Sequence, residues 1–213
     1  MKKDKYIYIM LSRTCTKFAS CIRKFGDVKY THASISLDAD MRNVYGFARP
    51  QHNAVLLGRL VKESLERYTL HGEESVPVVV LAIPVTKEQH DWVRETIDRI
   101  YSDPEYMYNL FCVLSYPITK GFACYKSYTC VEFVVTILKR LGYSFENPAY
   151  QYKPDDLLRM FVDYVVFRGD VREVLSDYGD TSYFAPMSRA VFVRSTKAVF
   201  RLSWRSLKGL LQS

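Results

Sequence analysis

The first half of the chain contains short segments in which apolar and polar residues alternate, a pattern typical of β-strands. Alternation predicts a strand at Tyr6–Leu11 and two more at Tyr30–Leu37 and Asn43–Ala48. The last two are separated only by the polar turn Asp38–Arg42, so they are expected to form a hairpin. The β-branched, continuously apolar run Val76–Val85 predicts a strand that is buried on both faces.

Between these strands, apolar residues recur at spacings of three and four, which is typical of helices with one buried face. Thr86 and Gln89 form a capping-box pattern at one start, and Gly142 follows another helix as a left-handed stop. The predicted helices cover residues 14–25, 86–101, 130–141 and 154–161, and a further strand follows at residues 164–168. Strands and helices in this order predict one α+β domain over residues 1–180, followed by a basic amphipathic tail over residues 181–213.

The composition agrees with a folded domain, because 48% of the 213 residues are hydrophobic and 15% are aromatic. The net charge of +7 is concentrated at one end: no acid follows Asp180, whereas six basic residues do. The rest of the chain is therefore nearly neutral. A nucleic-acid-binding protein would need a basic surface across the fold, and no nucleic-acid partner is expected.

The cysteines favour a reducing compartment. There are five of them, an odd number, and no two have the C-x-x-C spacing of zinc or redox sites.

The lysines of the first five residues precede a short run of alternating polarity, which we interpret as the first strand and not as a signal peptide. No segment reaches the roughly 20 apolar residues of a membrane span. We expect a cytoplasmic protein, with peripheral membrane association through the tail as a further hypothesis.

One cysteine stands at a chemically distinctive position. Thr129 can cap the helix over residues 130–141, so Cys130 lies where unpaired backbone N–H groups and the positive end of the helix dipole converge. Such a site favours the thiolate over the thiol, whose ordinary pKa is about 8.5. The alternative is that Cys130 is a small buried apolar residue, as most free cysteines are.

A histidine lies on the predicted hairpin. Because side chains alternate along a strand, His32, Ser34 and Ser36 share one face and Ala33, Ile35 and Leu37 share the other. A histidine on a rigid strand is suited to act as general base for a cysteine. The alternative is a surface histidine on a half-exposed strand. The other three histidines lie in loops or at a helix start and are weaker candidates.

Several short segments together carry a family resemblance: YIYIMLSRT, YTHASISLD, VYGFARP, YMYNLF, YTCVEFVVTIL and KPDDL. In this order the chain resembles the circularly permuted papain-like branch of the NlpC-type cysteine peptidase superfamily over residues 5–170. That branch includes YiiX-like proteins and is related to lecithin:retinol acyltransferase. The resemblance implies an antiparallel sheet or barrel packed against helices, with Cys130 as a nucleophile at a helix N-terminus and His32 as its base.

The chain departs from the pattern of these relatives at two positions. They usually carry a polar third residue, often acidic, on the strand after the histidine, and the matching position is Gly46. Without such a residue, either Tyr45, a main-chain carbonyl or a water orients the His32 ring, or activity is weakened. If the missing side chain limits the base, a Ser or Glu in place of Gly46 is expected to raise activity. The second departure is Val131, because these relatives often have a serine directly after the cysteine. Glu132 matches the polar residue that usually comes next in them. Tyr108 is expected to line the pocket.

The function implied is acyl transfer, as an amidase, peptidase or acyltransferase acting on a cell-wall peptide or a lipid-linked acyl group. No cofactor is expected, because phosphate-binding glycine motifs and clusters of metal ligands are missing from the sequence. The competing interpretation is a weakened or inactive papain-like module that binds such a ligand or a membrane surface, and Gly46 is its main argument. A metal site made of Cys130 and His32 is a distant third, since two ligands are too few.

The tail predicts an amphipathic helix. At 3.6 residues per turn its cations gather on one face, and apolar residues fall broadly opposite, with Trp204 near the boundary. Such a helix can lie on an anionic membrane or bind an acidic partner, or it can dock its apolar side on the domain and leave the cations in water. The cations are Arg194, Lys197, Arg201, Arg205 and Lys208, and the apolar residues are Phe192, Val199, Phe200, Leu207, Leu210 and Leu211.

Overall fold

A computed structural model describes most of the chain, in the residue ranges 3–14, 28–54, 56–69, 75–175, 183–186 and 188–210. The helix predicted at residues 14–25 falls almost entirely outside these ranges. Cys15, Cys21 and His71 also lie outside the described residues.

The architecture is a mixed α+β fold. Its strands are β1 Lys5–Ser12, β2 His32–Ser36, β3 Val44–Ala48, β4 Arg59–Lys62, β5 Pro77–Val85, β6 Met107–Tyr108, β7 Ser127–Tyr128 and β8 Val165–Asp170. Six of them form an antiparallel sheet with strand order β4-β3-β2-β1-β5-β8. The other two, β6 and β7, form a short parallel pair.

Helices pack against this sheet and connect its strands. They are α1 Leu65–Thr69, α2 Lys87–Ser102, α3 Leu110–Thr119, α4 Cys130–Arg140, α5 Pro154–Met160 and α6 Arg189–Leu210, and three single 3₁₀ turns begin at residues 149, 162 and 171. Across the described part of the chain, none of the helices combines the length and the apolar character that crossing a bilayer requires.

Most of the predicted elements are confirmed within one or two residues. The hairpin pairs Ile35 with Tyr45. Thr86 accepts the hydrogen bond from the backbone N–H of Gln89 and completes the capping box at the start of α2. The pair β6–β7 was not predicted, because two-residue strands carry no readable alternation and pair only with a segment distant in the sequence.

Both faces of the sheet are buried. On one face, alternate β1 residues such as Ile9 pack with α4 residues such as Phe133 in the main core. On the other face, Met10 packs with Tyr68 of α1 in a second core. The face expected to be polar and half-exposed is therefore covered: Ser34 and Ser36 have no solvent exposure.

The C-terminal helix does not dock through its predicted apolar side. Leu202 of α6 packs with Met107 and Cys124, and Val191, Ser195 and Ser206 are also buried in the part of the helix whose side chains the structure describes, residues 189–207. Of the residues predicted to pack on the domain, Phe192, Phe200 and Leu207 are exposed. Helical periodicity places the large apolar residues on one side of the helix. The domain surface at β6 contacts a different side, which carries smaller side chains.

We expect Phe47→Ala to destabilise the fold strongly. Phe47 of β3 is fully buried, and its ring centroid lies 5.3 Å from that of Phe133 and 5.6 Å from that of Tyr128, so it joins the sheet to α4. Removing such a side chain costs about 3–5 kcal/mol. Urea unfolding should show this loss, whereas Ile118→Ala, at an exposed position of α3, should leave the midpoint nearly unchanged. Equal midpoints for the two variants would contradict this packing.

Candidate active site

Cys130 is the first residue of α4, as its sequence predicts. Thr129 caps the helix: its Oγ1 accepts a hydrogen bond from the Glu132 N–H at 3.1 Å, and the Glu132 Oε2 accepts one from the Thr129 N–H at 3.0 Å. This capping box fixes the direction in which α4 begins. Burial raises the pKa of the Glu132 carboxyl to about 7, against the opposing effect of its bond from Thr129. Through this hydrogen bond with Thr129, Glu132 stabilises the start of α4.

The packing of α4 against β2 brings Cys130 next to His32, the first residue of β2. The two side chains interact directly, and each affects the pKa of the other. Both are largely enclosed, since Cys130 is 6% exposed and the His32 side chain 11%. The thiol and the imidazole, which are 98 positions apart in the sequence, thus meet in a sheltered place.

The second nitrogen of His32 has a carboxylate partner that sequence reasoning did not identify. Its Nε2 lies 2.6 Å from Oε1 of Glu63, the residue directly after β4. The backbone N–H of Glu63 donates to the carbonyl of Val44, which continues the pairing of β4 with β3. Tyr68 of α1 donates its hydroxyl hydrogen to Oε2 of Glu63. The carboxylate is therefore held from two sides, and Nε2–H of His32 donates to it.

The charges of this cluster stabilise one another. For Glu63, burial raises the carboxyl pKa, but His32, the Tyr68 hydroxyl and the Arg67 charge outweigh it, so the pKa lies below its ordinary value. For His32, burial lowers the imidazole pKa, but Glu63 and Cys130 outweigh it, and the pKa lies well above 6.5. The arrangement favours a carboxylate beside an imidazolium.

The thiol pKa responds to the same neighbours. Burial raises the pKa of Cys130, but the His32 charge, the hydrogen bond with its ring and hydrogen bonds from the backbone N–H groups of Ala33 and Val131 outweigh burial and lower the pKa. The net pKa lies below that of an ordinary thiol. Because Nε2 of His32 is engaged by Glu63, Nδ1 is the nitrogen left for Cys130, and it carries a proton when the pair is a thiolate and an imidazolium.

Gly46 makes room for the contact between Glu63 and His32. A Cβ at this position would lie 2.4 Å from Oε1 of Glu63 and 3.0 Å from Nε2 of His32. Because Gly46 has no side chain, a carboxylate from the next strand can contact the His32 ring. Gly46 therefore does not mark the loss of the residue that orients the ring. This reverses the expectation that a Ser or Glu at this position would raise activity, since its side chain would displace Glu63.

The two tyrosines that the sequence predicts near the site, Tyr108 and Tyr45, have different surroundings. The Tyr108 hydroxyl interacts with Cys130, and burial, followed by the thiol charges of Cys130 and Cys112, raises the pKa of this phenol well above 10. Tyr108 thus stays protonated and can donate a hydrogen bond beside the thiol. Tyr45 packs edge to face on Tyr101 with ring centroids 5.7 Å apart, and its place beside His32 is taken by Glu63.

A cavity of about 320 Å³ opens onto Cys130. Its described lining is mainly aromatic and aliphatic and includes no acidic residue, whereas Lys120 and Lys153 contribute two cations. The apolar lining includes Tyr108, Val113, Tyr116, Val131, Tyr150 and Tyr152. Cys112 lines the same cavity, and burial raises its thiol pKa to about 12. Two cysteines thus share one cavity with opposite pKa shifts.

The remaining candidates lie elsewhere. His90 approaches the Leu37 carbonyl, and His52 packs among Tyr183 and Phe184. Among the described residues, no group of three or more His, Cys, Asp or Glu side chains could hold a metal ion. The cations Arg194, Lys197 and Arg201 of α6 do not line the cavity at Cys130. They line a second cleft, which also borders Glu63.

The sequence carried a weak signal for Glu63. The segment RLVKES has the apolar pair Leu60 and Val61 followed closely by the acid Glu63, and Gly46 is a glycine inside a strand, which often marks the close approach of another group. The sequence does not connect the two signals, because Gly46 lies in β3 and Glu63 follows β4, and the two strands are not adjacent in the chain. Only the pairing of β3 with β4 brings them together.

Comparisons with known proteins give limited matches. The chain matches no protein-family model and no curated protein. Among solved structures it is similar to a crystal structure of the type VI secretion system effector TseH, with 14% sequence identity and a TM-score of 0.37. The alignment covers 77% of this chain and 91% of that one.

We expect Cys130 to be alkylated at lower pH than Cys112. Iodoacetamide reacts with thiolates, and the pKa of Cys130 is lowered whereas burial raises that of Cys112 to about 12. Peptide mass spectrometry across a pH series should give Cys130 an apparent pKa below about 8.5 and leave Cys112 unlabelled at neutral pH. His32→Gln should raise the value for Cys130. Equal labelling of the two cysteines at neutral pH would contradict the assigned surroundings.

We expect Gly46→Ala to weaken the cluster, because the added methyl group would push Glu63 away from His32. The thiol pKa of Cys130 should rise, and its alkylation rate at neutral pH should fall by about 10- to 100-fold, as when other supporting residues are lost. Tyr45→Phe is the matched control on the same strand and should change neither value. An unchanged rate in folded Gly46→Ala protein, with folding checked by circular dichroism, would refute the role of this glycine.

Proposed function

We propose that the protein is a cysteine-dependent acyl-transfer enzyme with Cys130 as nucleophile, His32 as general base and Glu63 as the residue that orients the base. The observation that carries the proposal is the buried chain of contacts from the thiol through the imidazole to the carboxylate. A nucleophile beside a base that is itself oriented by a third group is the general arrangement of covalent catalysis.

The reaction would proceed through a thioester. The thiol proton resides on Nδ1 of His32, and the sulfur attacks the carbonyl carbon of an amide or ester, forming a new S–C bond. As the tetrahedral intermediate collapses, the leaving amine or alcohol takes the proton from the imidazolium. Water or another acceptor, deprotonated by the neutral imidazole, then attacks the thioester and releases the acyl group and the Cys130 thiolate. No cofactor takes part in these steps.

Two features can stabilise the oxyanion that forms during the attack. The first turn of α4 has backbone N–H groups without helical acceptors, and the positive end of its dipole lies at Cys130. The Tyr108 hydroxyl also interacts with Cys130, and it stays protonated because burial raises its pKa. Donors directed at the place where negative charge develops commonly contribute a large part of an enzyme's rate enhancement.

The lining of the cavity favours a particular class of acyl donor. A mainly aromatic and aliphatic wall suits an apolar acyl chain better than a charged peptide, and the two lysines suit a donor with an anionic group. Of the two substrate classes that the family resemblance implies, cell-wall peptides and lipid-linked acyl groups, we therefore propose the lipid-linked class. An amidase, a peptidase and an acyltransferase share the thioester step and differ in the acceptor.

The chain order supports the permuted papain-like interpretation, since the histidine strand precedes the cysteine helix. The competing interpretation, an inactive binding module, depended on a missing third residue at Gly46. Because Glu63 supplies a carboxylate to His32, that argument no longer applies. The active enzyme is therefore the function that the geometry supports best.

The proposal predicts a covalent intermediate on Cys130. When p-nitrophenyl esters of increasing chain length are mixed with the protein, a burst of p-nitrophenol should appear, together with a mass increase of one acyl group on the Cys130 peptide. Cys130→Ala should abolish both signals. His32→Gln should slow acylation on the order of 100- to 10,000-fold, and Glu63→Gln by about 10- to 100-fold.

Cys112→Ala is the matched control, because Cys112 lines the same cavity without contacting His32 in the cluster described, and it should keep the burst. The acylation rate should rise from acid pH through a pKa below that of an ordinary thiol and fall again through a pKa well above 6.5, as the imidazolium loses its proton. An acyl group on Cys112 instead of Cys130, or a burst that survives Cys130→Ala, would overturn the proposal.

A further inference from the structure

The helix α6 docks on the domain through a narrow face of small and medium side chains. Val191, Ser195, Leu202 and Ser206 are buried, and Leu202 reaches into the cluster with Met107 and Cys124. These positions follow one another at spacings of four and seven, so they lie on one side of the helix. The opposite side of α6 therefore faces away from the domain.

That outward side carries large apolar residues. Phe200 is 75% exposed, and Trp204 and Leu207 are each 58% exposed. Val193 belongs to the same arc, because it lies seven positions, or about two helical turns, before Phe200. We call Val193, Phe200, Trp204 and Leu207 the outer stripe. An exposed stripe with two aromatic residues is unusual on a protein surface and indicates an interaction.

Cations flank the outer stripe on one side. Lys197, Arg201 and Arg194 lie progressively further around the helix from Trp204, and all three are exposed. The helix contains no acidic residue. Arg205 completes this arc but turns toward the domain, where it donates to the Glu105 carbonyl at 2.8 Å and lies over the Tyr125 ring.

The same three cations form one wall of a cleft of about 730 Å³ between α6 and the region of β4. Arg59, Lys62 and Arg67 contribute cations from the other wall. Glu63 is the sole acidic residue in the described lining, and its carboxylate is already bound to His32 and Tyr68. Positive charge on both walls of a cleft beside an apolar stripe fits an anionic surface that also has an apolar interior.

We propose that α6 binds the surface of an anionic membrane, with the outer stripe inserted at the boundary between headgroups and acyl chains and with Arg194, Lys197 and Arg201 bound to lipid phosphates. The cleft accommodates an anionic headgroup beside the helix. This is an interfacial association, in which the helix lies along the membrane surface and does not cross it. It is independent of the proposed acyl transfer.

An anionic membrane fits this surface better than the other occupants. A second copy of the chain would cover the outer stripe, but it would bring an identical basic arc toward the first, and like charges repel. An acidic protein would satisfy the cations, but it would also need an apolar groove for two aromatic rings and a leucine. A membrane with anionic lipids supplies both the apolar depth and the negative charge along the full length of the helix.

The chain is well suited to a fluorescence test, because it contains two tryptophans and Trp204 is the one in the outer stripe. In full-length Trp92→Phe protein, Trp204 reports alone. We expect its emission to shift to shorter wavelength on adding phosphatidylcholine vesicles that contain phosphatidylglycerol, and to be quenched by brominated acyl chains. Vesicles of phosphatidylcholine alone should produce a much smaller shift, and high salt should weaken binding.

Two sets of variants separate the contributions in co-sedimentation. Reversing the charge of Arg194, Lys197 and Arg201 to Glu should lower the affinity for anionic vesicles at least about tenfold, and Phe200→Ser with Leu207→Ser should do the same. The matched controls are Arg159→Glu and Val166→Ser, at exposed positions of α5 and β8, and they should bind like the parent protein.

Other results would overturn the proposal. If Trp204 is not quenched by brominated lipid, or if the charge and stripe variants bind as tightly as the controls, α6 is not inserted. A concentration-dependent dimer in sedimentation equilibrium that the stripe variants abolish, with no vesicle binding, would assign this surface to a second copy. Salt-sensitive binding to an acidic peptide with no vesicle binding would assign it to a protein partner.

Discussion

The buried contact between the His32 imidazole and the Glu63 carboxylate is the interaction on which the proposed chemistry depends. Taking either charge out of water alone would be costly, and a buried ion pair is retained only when its geometry and hydrogen bonds are good. Here Tyr68 donates to the second carboxylate oxygen, and Cys130 also interacts with the ring. The pair raises the imidazole pKa, and the imidazolium in turn lowers the thiol pKa.

The sheet provides the constraint that keeps these groups together. His32 begins β2, Gly46 lies in β3 and Glu63 follows β4, so three neighbouring strands contribute to one cluster. Gly46 allows the carboxylate to approach the ring across the middle strand. The absence of a side chain there is therefore a structural requirement of the pair.

The helices add direction and environment. The capping box of Thr129 and Glu132 fixes the start of α4, and Phe133, the fourth residue of this helix, packs on Phe47 of β3. The nucleophile is thereby anchored to the same sheet that carries the base. The cavity over Cys130 is bounded partly by α3, and α6 packs near β6, so its outer stripe lies outside the thiol cavity.

Much of the secondary structure was determined locally and could be predicted from the sequence. Alternation identified β1, the β2–β3 hairpin and β5, and capping patterns identified the starts of α2 and α4. The positions of His32 on a strand and Cys130 at a helix start followed from the same short-range rules. These features depend on neighbouring residues, whose spacing the sequence displays directly.

Only the tertiary structure decided the partner of His32, the reason for Gly46 and the buried side of α6. Glu63 is 31 residues from His32, and the contact exists because β4 pairs with β3, which periodicity does not encode. In α6 the sequence determined where apolar and basic residues lie around the helix. It did not determine which arc is buried, because that depends on the shape of the surface at Met107 and Cys124, where Leu202 and its small neighbours fit and Phe200 and Trp204 stay outside.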